Sequence, residues 1–319
     1  MTTPRTRAPR RPVHGVLLLD KPLGWSSNDA LQKAKGLLRA EKAGHTGTLD
    51  PLASGVLPLC FGAATKFSHL LLEARKSYVA RLRLGATTTT GDAEGEILRQ
   101  REIKLDAEFL ASTLSRFVGS IRQTPPMFSA LKKDGKPLYE YARAGIEVER
   151  ESRAVEIFTL SRVAGPLPER SDEVSIEVSC SKGAYIRSLA VDIGEALGCG
   201  AHLSGLRRTG SGPFGIERCH SLESLQEMDE AGRLACLLPV DALLQGIPTI
   251  SLGADDAGRF LGGLRRRGAW VDEDLVAVYG AEPRALLGSA RVRSGELIPI
   301  RLLNPLEIGQ TYSITSHRT

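Results

Sequence analysis

The chain has 319 residues, of which 42% are hydrophobic and 25% charged, so the composition is that of an ordinary globular protein and excludes a disordered one. This length is long for one core and suits two domains. A formal net charge of +5 permits a nucleic-acid partner without requiring one, and no apolar stretch has the length of a membrane span or the pattern of a signal peptide.

The cysteines bear on the cellular compartment. Their number is odd and no Cys-x-x-Cys pair occurs, which argues against a disulfide framework and against a structural zinc site. Buried free thiols in a reducing cytosol are the better interpretation. We therefore expect a cytoplasmic protein without a metal site. The cysteines are Cys60, Cys180, Cys199, Cys219 and Cys236.

The chain opens with arginines interleaved with prolines, so residues 1–13 are predicted to be a disordered basic arm. Residues 14–20 form a short apolar run that ends at Lys21-Pro22, which predicts a buried strand and its turn. Helix-capping residue types at 26–29 precede apolar residues at helical spacing. This pattern predicts a helix that ends near Leu38.

The glycine-rich segment 44–55 suits a loop that bends sharply and approaches another group closely. Within it, Asp50 precedes Pro51, which favours an extended backbone at Asp50 and a helix that opens at Pro51. Local sequence alone therefore favours an ordinary helix-capping role for Asp50. The segment lacks the motifs of phosphate-binding loops, and His45 is not accompanied by the nucleophile elbow of a hydrolase.

Residues 78–84 alternate in polarity, which predicts a strand whose Tyr78 faces the interior or a cleft. Residues 91–95 are typical of a hairpin turn. Residues 106–118 predict a helix that Asp106 caps and Gly119 ends.

A second alternating run, residues 174–180, predicts another strand, and a turn at Lys182-Gly183 leads into a helix that ends at Gly198. Arg187 falls in the first turn of that helix, where the helix dipole disfavours a cation by roughly 0.3–1 kcal/mol. A cation at this position suggests a buried carboxylate as its partner. A surface arginine that reaches water is an equally good interpretation.

Arg207 and Arg208 lie beside glycines, a combination that fits contact with phosphates. Beyond Pro248 the chain consists of short strands and turns, which predicts a small β-barrel. Helices and strands are mixed without βαβ alternation, so an α+β fold is favoured over a doubly wound one. We divide the chain into the arm 1–13, a large domain 14–247 and a small domain 248–319.

Several dense motifs, in one order along the chain, resemble the bacterial tRNA pseudouridine synthase B family, known as TruB. The resemblance covers roughly residues 14–240. Its motifs are Leu19-Asp20-Lys21-Pro22, Gly24 with Ser26-Ser27-Asn28, the run from Gly44 to Pro58, Ala64-Thr65-Lys66, Lys76-Ser77-Tyr78, Gly85 with residues 89–95, Gln123 to Ala130, Lys182 to Arg187, and Gly198 to Leu203 with Leu206-Arg207-Arg208.

The resemblance implies an α+β catalytic domain on a mixed, largely antiparallel sheet, followed by a small C-terminal barrel of the PUA type. It implies an isomerase, a tRNA pseudouridine(55) synthase, that flips uridine 55 out of the T loop of tRNA. Asp50 occupies the place of the family's nucleophile. Arg187 matches the arginine that pairs with this aspartate, and Tyr78 matches the tyrosine that stacks on the flipped uracil.

The resemblance also implies contacts around the base. Tyr185 and Leu206 match residues that line the uridine pocket, and His45 matches the histidine that supports the extruded substrate loop. The C-terminal part resembles a PUA barrel only loosely, and the basic arm has no counterpart. Candidates for contacts with the RNA backbone are Lys21, Arg207 and Arg208.

The implied reaction breaks the bond between ribose C1′ and N1, turns the base, and joins C1′ to C5. It is redox-neutral, so we expect neither a cofactor nor a metal. It needs an ionised carboxylate in a water-poor pocket, where burial disfavours the charge of Asp50 and a paired Arg187 favours it. The expected partner is the T arm of tRNA, and the protein is expected to act as a monomer.

Two other functions fit the same residues. A non-catalytic RNA-binding or RNA-folding protein would use the same groove, but it would gain nothing from a buried anion next to RNA. An enzyme that excises a flipped uracil would release the free base and leave an abasic site. Analysis of the product separates both alternatives from an isomerase.

Overall fold

Two sheets organise the chain. The structure is a computed structural model that describes residues 9–104, 106–163 and 172–316. The strands in these ranges are β1 (Gly15–Lys21), β2 (Ala43–His45), β3 (Ala53–Phe61), β4 (Lys76–Leu84), β5 (Ala86–Thr88), β6 (Ile97–Gln100), β7 (Gly119–Gln123), β8 (Lys132–Lys133), β9 (Lys136–Pro137), β10 (Arg153–Arg162), β11 (Glu173–Cys180), β12 (Ala201–Ser211), β13 (Phe214–Gly215), β14 (His220–Ser221), β15 (Thr249–Leu252), β16 (Arg266–Arg267), β17 (Glu273–Gly280), β18 (Leu286–Arg293) and β19 (Glu296–Leu302).

Helices pack around and between the strands. Three short 3-10 turns, Gly62–Lys66, Ile216–Arg218 and Val240–Leu244, complete the regular elements of the described ranges. The α-helices are α1 (Ser27–Leu37), α2 (Ser68–Glu73), α3 (Ala107–Ser115), α4 (Leu138–Arg143), α5 (Ile186–Ala196), α6 (Leu222–Glu227), α7 (Glu230–Ala235), α8 (Ala254–Leu261) and α9 (Pro305–Ser316).

The large sheet has the strand order β14-β1-β3-β12-β4-β11-β10-β7, with β2 paired to β3 and β13 paired to β12. Its β14–β1 and β3–β12 pairs are parallel, and its other pairs are antiparallel. The predicted α+β class with a mixed, largely antiparallel sheet is therefore confirmed. The predicted hairpin turn at 91–95 connects β5 and β6, which form a separate two-stranded sheet.

One face of this sheet buries the main core. The alternating residues of β4 place Tyr78, Ala80, Leu82 and Leu84 on this face, where they pack with apolar residues of α3 and α5. Asp106 caps α3, and Gly198 follows α5 with a positive φ of 80°, as the sequence predicts for the ends of these helices. Burial of each large apolar side chain contributes about 1.5–3 kcal/mol.

The second sheet begins at Thr249 and has the order β15-β17-β18-β19-β16. It curls into a half-barrel where the sequence predicts a small C-terminal β-barrel. One buried apolar cluster joins residues of the large sheet, such as Val16 and Cys60, to Ala277 and Tyr279 of the second sheet. The two sheets therefore share a core.

The C-terminal end of the predicted basic arm contacts the folded part of the chain. Residues 1–8 lie outside the described residues, but Arg11 pairs through its backbone with Arg39 and Glu41 and forms an ion pair with Glu230 at 2.6 Å. Val13 is buried. The prediction that disorder extends to residue 13 is therefore wrong at its C-terminal end, because these residues gain backbone partners and core contacts.

The predicted free thiols are confirmed. All five cysteines lie in the described ranges and none forms a disulfide, and Cys60, Cys180 and Cys199 are buried. Burial raises the pKa of the Cys60 thiol to about 12, which leaves it protonated and unreactive. No helix in the described part of the chain is long and apolar enough to cross a membrane.

Candidate active site

Asp50 lies in a tight connection between β2 and β3. The backbone N–H of Ala53 donates to the Asp50 carbonyl at 3.0 Å, and residues 51 and 52 form a turn that enters β3 directly. The prediction that Pro51 opens a helix, and that Asp50 caps it, is therefore wrong. The fixed φ of proline suits the second position of a turn as well as the first position of a helix, so local sequence could not separate the two.

Arg187 fixes the orientation of the Asp50 carboxylate. Its Nη2 lies 2.9 Å from Asp50 Oδ2, and its side chain is only 7% exposed whereas that of Asp50 is 46% exposed. The prediction that Arg187 has a carboxylate partner is confirmed, but this carboxylate is open to solvent on one side. Asp50 is thus held from the protein side and remains accessible to a ligand from the other.

Asp92 is the buried carboxylate of the site, and it is not among the site residues predicted from sequence. Its Oδ2 lies 3.4 Å from Arg187 Nη1, and its side chain is 6% exposed. Thr90 Oγ1 and the backbone N–H of Glu94 both donate to Asp92 Oδ1. The local pattern of residues 91–95 indicates a turn, in which aspartate is common. The unfavourable helix position of Arg187 is the signal that points to a buried anion.

The guanidinium of Arg187 also binds two backbone carbonyls. Nη2 donates to Phe128 O at 2.5 Å, and Nη1 donates to Thr90 O at 3.4 Å. One side chain therefore joins helix α5, the Asp50 turn, the 90–92 turn and the segment around Phe128. Such a network holds the cation in one geometry, because both Nη groups are directed at fixed acceptors.

Gln123, which the sequence did not single out by role, anchors the start of α5. Its Oε1 accepts from the backbone N–H of Tyr185 at 3.0 Å and its Nε2 donates to Tyr185 O at 3.3 Å. The side chain of Gln123 is buried, and Tyr185 is the N-cap residue of α5. This pair of bonds positions both the half-buried Tyr185 and, two residues later, Arg187.

Tyr78 and Leu206 lie close to this network on neighbouring strands. Leu206 of β12 pairs in register with Ala80 of β4 and Ala53 of β3, and it packs against the core cluster that contains Tyr78. Tyr78 is 9% exposed. Burial raises its pKa, Arg208 opposes this rise, and Asp50 adds to it, so the phenol stays protonated at neutral pH.

Lys21 and Arg208, predicted to contact the RNA backbone, are buried instead. Lys21 is 0% and Arg208 1% exposed. Arg208 donates to Val56 O at 2.6 Å and Gly47 O at 3.3 Å, beneath the loop that leads to Asp50. Gly55 has a φ of +103° and a Cβ there would lie 2.2 Å from Arg208 O, so only glycine allows this approach. Neither cation can reach a phosphate from this position.

Arg207 is the member of this predicted set that reaches the surface. Its Nη1 and Nη2 bind the two carboxylate oxygens of Asp20 at 3.2 and 2.7 Å, and Nη1 also donates to Ser54 Oγ. It lines a cavity of about 440 Å³ together with Leu52 and Leu206. Asp50, Tyr78 and Arg187 are not among the lining residues, so this cavity opens beside the carboxylate and not onto it.

His45 lies on β2, half-buried, at the start of the Asp50 loop. Burial lowers its pKa and Arg208 lowers it further, so its imidazole is neutral at pH 7. Its Nδ1 is buried and has no hydrogen-bond partner within the described residues. The His45 ring beside the site is therefore uncharged. Among the described residues, no group of three or more His, Cys, Asp or Glu side chains could hold a metal ion.

Lys76 is another buried cation near Arg208. It lies at the start of β4, and its Nζ donates to Leu71 O at 2.5 Å and Ala74 O at 2.7 Å. Burial, with a smaller contribution from Arg208, lowers its pKa to about 8; that of Lys21 is also lowered to about 8 by burial, although Asp50 raises it. Lys21, Lys76 and Arg208 therefore concentrate positive charge beneath the site. The group of the site that is open to solvent is the Asp50 carboxylate.

The lowered pKa of Lys76 has a measurable effect on stability. Between pH 8 and 10.5 the native state releases this proton while the unfolded state keeps it, so stability rises with pH. We expect the unfolding free energy of the protein, measured against that of a Lys76→Met variant in urea, to increase across this window by about 1–3 kcal/mol. The exposed Lys33→Met serves as the control for loss of a lysine charge. A difference for Lys76→Met that does not change with pH would contradict the assignment.

Comparison with known proteins identifies the family. The model of the N-terminal domain of TruB family pseudouridylate synthases matches residues 35–186, and that of the tRNA pseudouridylate synthase B C-terminal domain matches residues 187–245. A tRNA pseudouridine synthase B from Verminephrobacter eiseniae is 61% identical over 96% of this chain and 93% of its own length. Another from Cupriavidus metallidurans is 58% identical over 93% of this chain and 96% of its own length.

A solved structure supports the same relationship. A chain in the crystal structure of a Cbf5-Nop10-Gar1 complex is 26% identical, with a TM-score of 0.68 over 98% of this chain and 93% of that chain. The similarity extends over both sheets, since the matched share leaves almost no part of the chain uncovered. The chain therefore belongs to the TruB family of pseudouridylate synthases.

Proposed function

We propose that this protein is a tRNA pseudouridine synthase that converts uridine 55 in the T loop of tRNA to pseudouridine, with Asp50 as the nucleophile. The single observation that carries the proposal is the half-exposed Asp50 carboxylate held 2.9 Å from the buried Arg187 guanidinium. The names of the curated relatives support tRNA as the substrate. A binding protein has no use for an accessible carboxylate beside RNA, because it repels phosphates.

The reaction balances without an external reactant. The C1′–N1 bond of the uridine breaks, the base rotates, C5 bonds to C1′, the C5 proton leaves and N1 gains a proton. Asp50 either attacks C1′ or promotes a route through a glycal intermediate. Arg187 orients the Asp50 carboxylate, since its other contacts to Asp92 and Phe128 hold the guanidinium in place.

The target base must leave its stack, at a cost of a few kcal/mol. We assign Tyr78 as the aromatic surface on which the flipped uracil stacks, which returns about 1–3 kcal/mol. Tyr185 and Leu206 would line the walls of this pocket. His45, whose imidazole is neutral and half-buried, would support the extruded loop of the RNA.

Cations at the surface make the contacts with the rest of the RNA. Of the predicted backbone contacts only Arg207 remains, and it reaches the surface with Asp20 as its protein partner. Lys21 and Arg208 lie buried beneath the site, where they contribute positive charge and hold the loops around Asp50 through hydrogen bonds. We further propose that the protein acts as a monomer in the cytoplasm on the T arm of tRNA.

One experiment tests the activity. The purified protein is incubated with unmodified tRNA transcript, and pseudouridine is mapped by position. We expect one modified site, in the T loop, and an isomer of unchanged mass. Free uracil with an abasic site would support the base-excising alternative, and RNA that is bound but unchanged would support the non-catalytic one. Either result would overturn the proposed function.

A further inference from the structure

The turn formed by residues 22–25 presents two apolar side chains to solvent beside the site. Leu23 is 67% and Trp25 38% exposed. Trp25 belongs to none of the buried apolar clusters, and within the described part of the chain its indole N–H has no hydrogen-bond partner. A large aromatic side chain that leaves 38% of its surface open to solvent is available to a ligand.

This turn is closed from inside by the buried Lys21. Its Nζ donates to Pro22 O at 2.9 Å and to Trp25 O at 2.6 Å, so one ammonium group joins both ends of the turn. Gly24 adopts a φ of +81°, which the tight reversal requires. The contacts are made to backbone oxygens, so they do not depend on which side chain stands at position 25.

Hydrogen bonds also connect this turn to the residues on both sides of Asp50. The N–H of Gly24 donates to Pro51 O at 2.9 Å, after the aspartate. Ser27 Oγ accepts from Leu49 N at 2.7 Å and donates to Leu49 O at 3.0 Å, before the aspartate. Trp25 lies between the two hydrogen-bonded residues of its segment, Gly24 and Ser27. Asp50 lies between their partners, Pro51 and Leu49. The backbone at Trp25 is therefore held next to the turn that carries Asp50.

We propose that Trp25 stacks on an unpaired nucleobase of the substrate RNA that neighbours the target uridine. Extrusion of one base removes a stacking surface from its neighbours, and an aromatic ring supplies a replacement that accepts any base. Leu23 lacks a π-face and adds only apolar contact. The inference rests on the proposed function, because it requires an RNA substrate whose target lies at Asp50.

The chain contains two tryptophans, which makes a direct optical test possible. A Trp270→Phe variant leaves Trp25 as the only indole. Its emission, excited at the red edge of the indole band, is followed during titration with unmodified tRNA transcript, while retention of labelled RNA on filters reports binding in parallel. Stacking quenches indole emission, so we expect the fluorescence of Trp25 to fall along the same curve as binding.

Kinetics of position-25 variants give the second readout. Loss of one stacked base weakens binding by about 5- to 150-fold, so we expect Trp25→Ala to raise KM by a factor in this range. Trp25→Phe keeps a π-face and should stay near the parent value. Because the anchors of the turn are backbone atoms, the thermal unfolding of both variants should match that of the parent.

The outcomes separate the two proposals. Quenching together with a raised KM for Trp25→Ala and rescue by Trp25→Phe supports the stacking role. Unchanged Trp25 emission at RNA saturation, or a Trp25→Ala variant with the parent KM, overturns it while leaving the proposed function intact. A parent protein that forms no pseudouridine in the transcript overturns the proposed function itself.

Discussion

Replacement of Asp50 by Asn is expected to abolish pseudouridine formation while leaving the affinity for tRNA unchanged or higher. Asn has nearly the same shape, but its neutral amide is a poor nucleophile, so the reaction loses the group that bonds to or activates C1′. Losses on removal of a nucleophile are of the order of 10⁴-fold or more. Removal of a negative charge beside the phosphates also reduces repulsion.

Single-turnover mapping of pseudouridine, with binding measured on the same preparation, checks this expectation. Asp106→Asn is the matched control: it makes the same chemical change at the N-cap of α3, where Asn caps as well as Asp. The control should modify tRNA at the parent rate. An Asp50→Asn protein with normal turnover would remove Asp50 from the mechanism.

Replacement of Arg187 by Met is expected to reduce activity strongly and also to destabilise the fold. The activity falls because Asp50 loses its oriented partner; loss of one oriented electrostatic contact commonly lowers kcat by about 10²–10³-fold. The stability falls because the Asp92 carboxylate, 6% exposed, loses its cationic partner. An uncompensated buried charge of this kind costs about 3–5 kcal/mol.

A double variant separates these two effects. Adding Asp92→Asn to Arg187→Met removes the orphaned charge, so most of the lost unfolding free energy should return while activity stays low. Urea unfolding and single-turnover rates of the two single variants and the double variant complete the cycle. Recovery of activity together with stability would mean that Arg187 acts only on folding and not on Asp50.

Local pattern predicted much of the scaffold. Period-two alternation placed Tyr78 on the core face of β4, and capping residues defined α3 and α5 to within a few residues. The position of Arg187 in the first turn of α5 was physically informative, since an unfavourable dipole position needs a compensating anion. These features follow from short-range chemistry, which sequence records directly.

Features that depend on distant segments were not predictable. Lys21 and Arg208 resemble RNA-binding cations in sequence, yet strand pairing between β3 and β12 encloses Arg208, and the turn after β1 encloses Lys21. Asp92 lies in a turn whose composition is ordinary, and only the packing of that turn against α5 makes it a partner of Arg187. Burial of this kind depends on tertiary contacts, which a single sequence does not display.

The core shared by the two sheets makes them one cooperative unit. Glu307 of α9 pairs with Lys66 at 2.6 Å, and Gln310 bonds to His14 Nε2 at 2.7 Å, next to the apolar cluster that holds Val16 and Tyr279. A chain cut at the start of the second sheet would leave this cluster open to water. The shared cluster couples the two parts in folding, and we expect heat to melt the protein in a single transition.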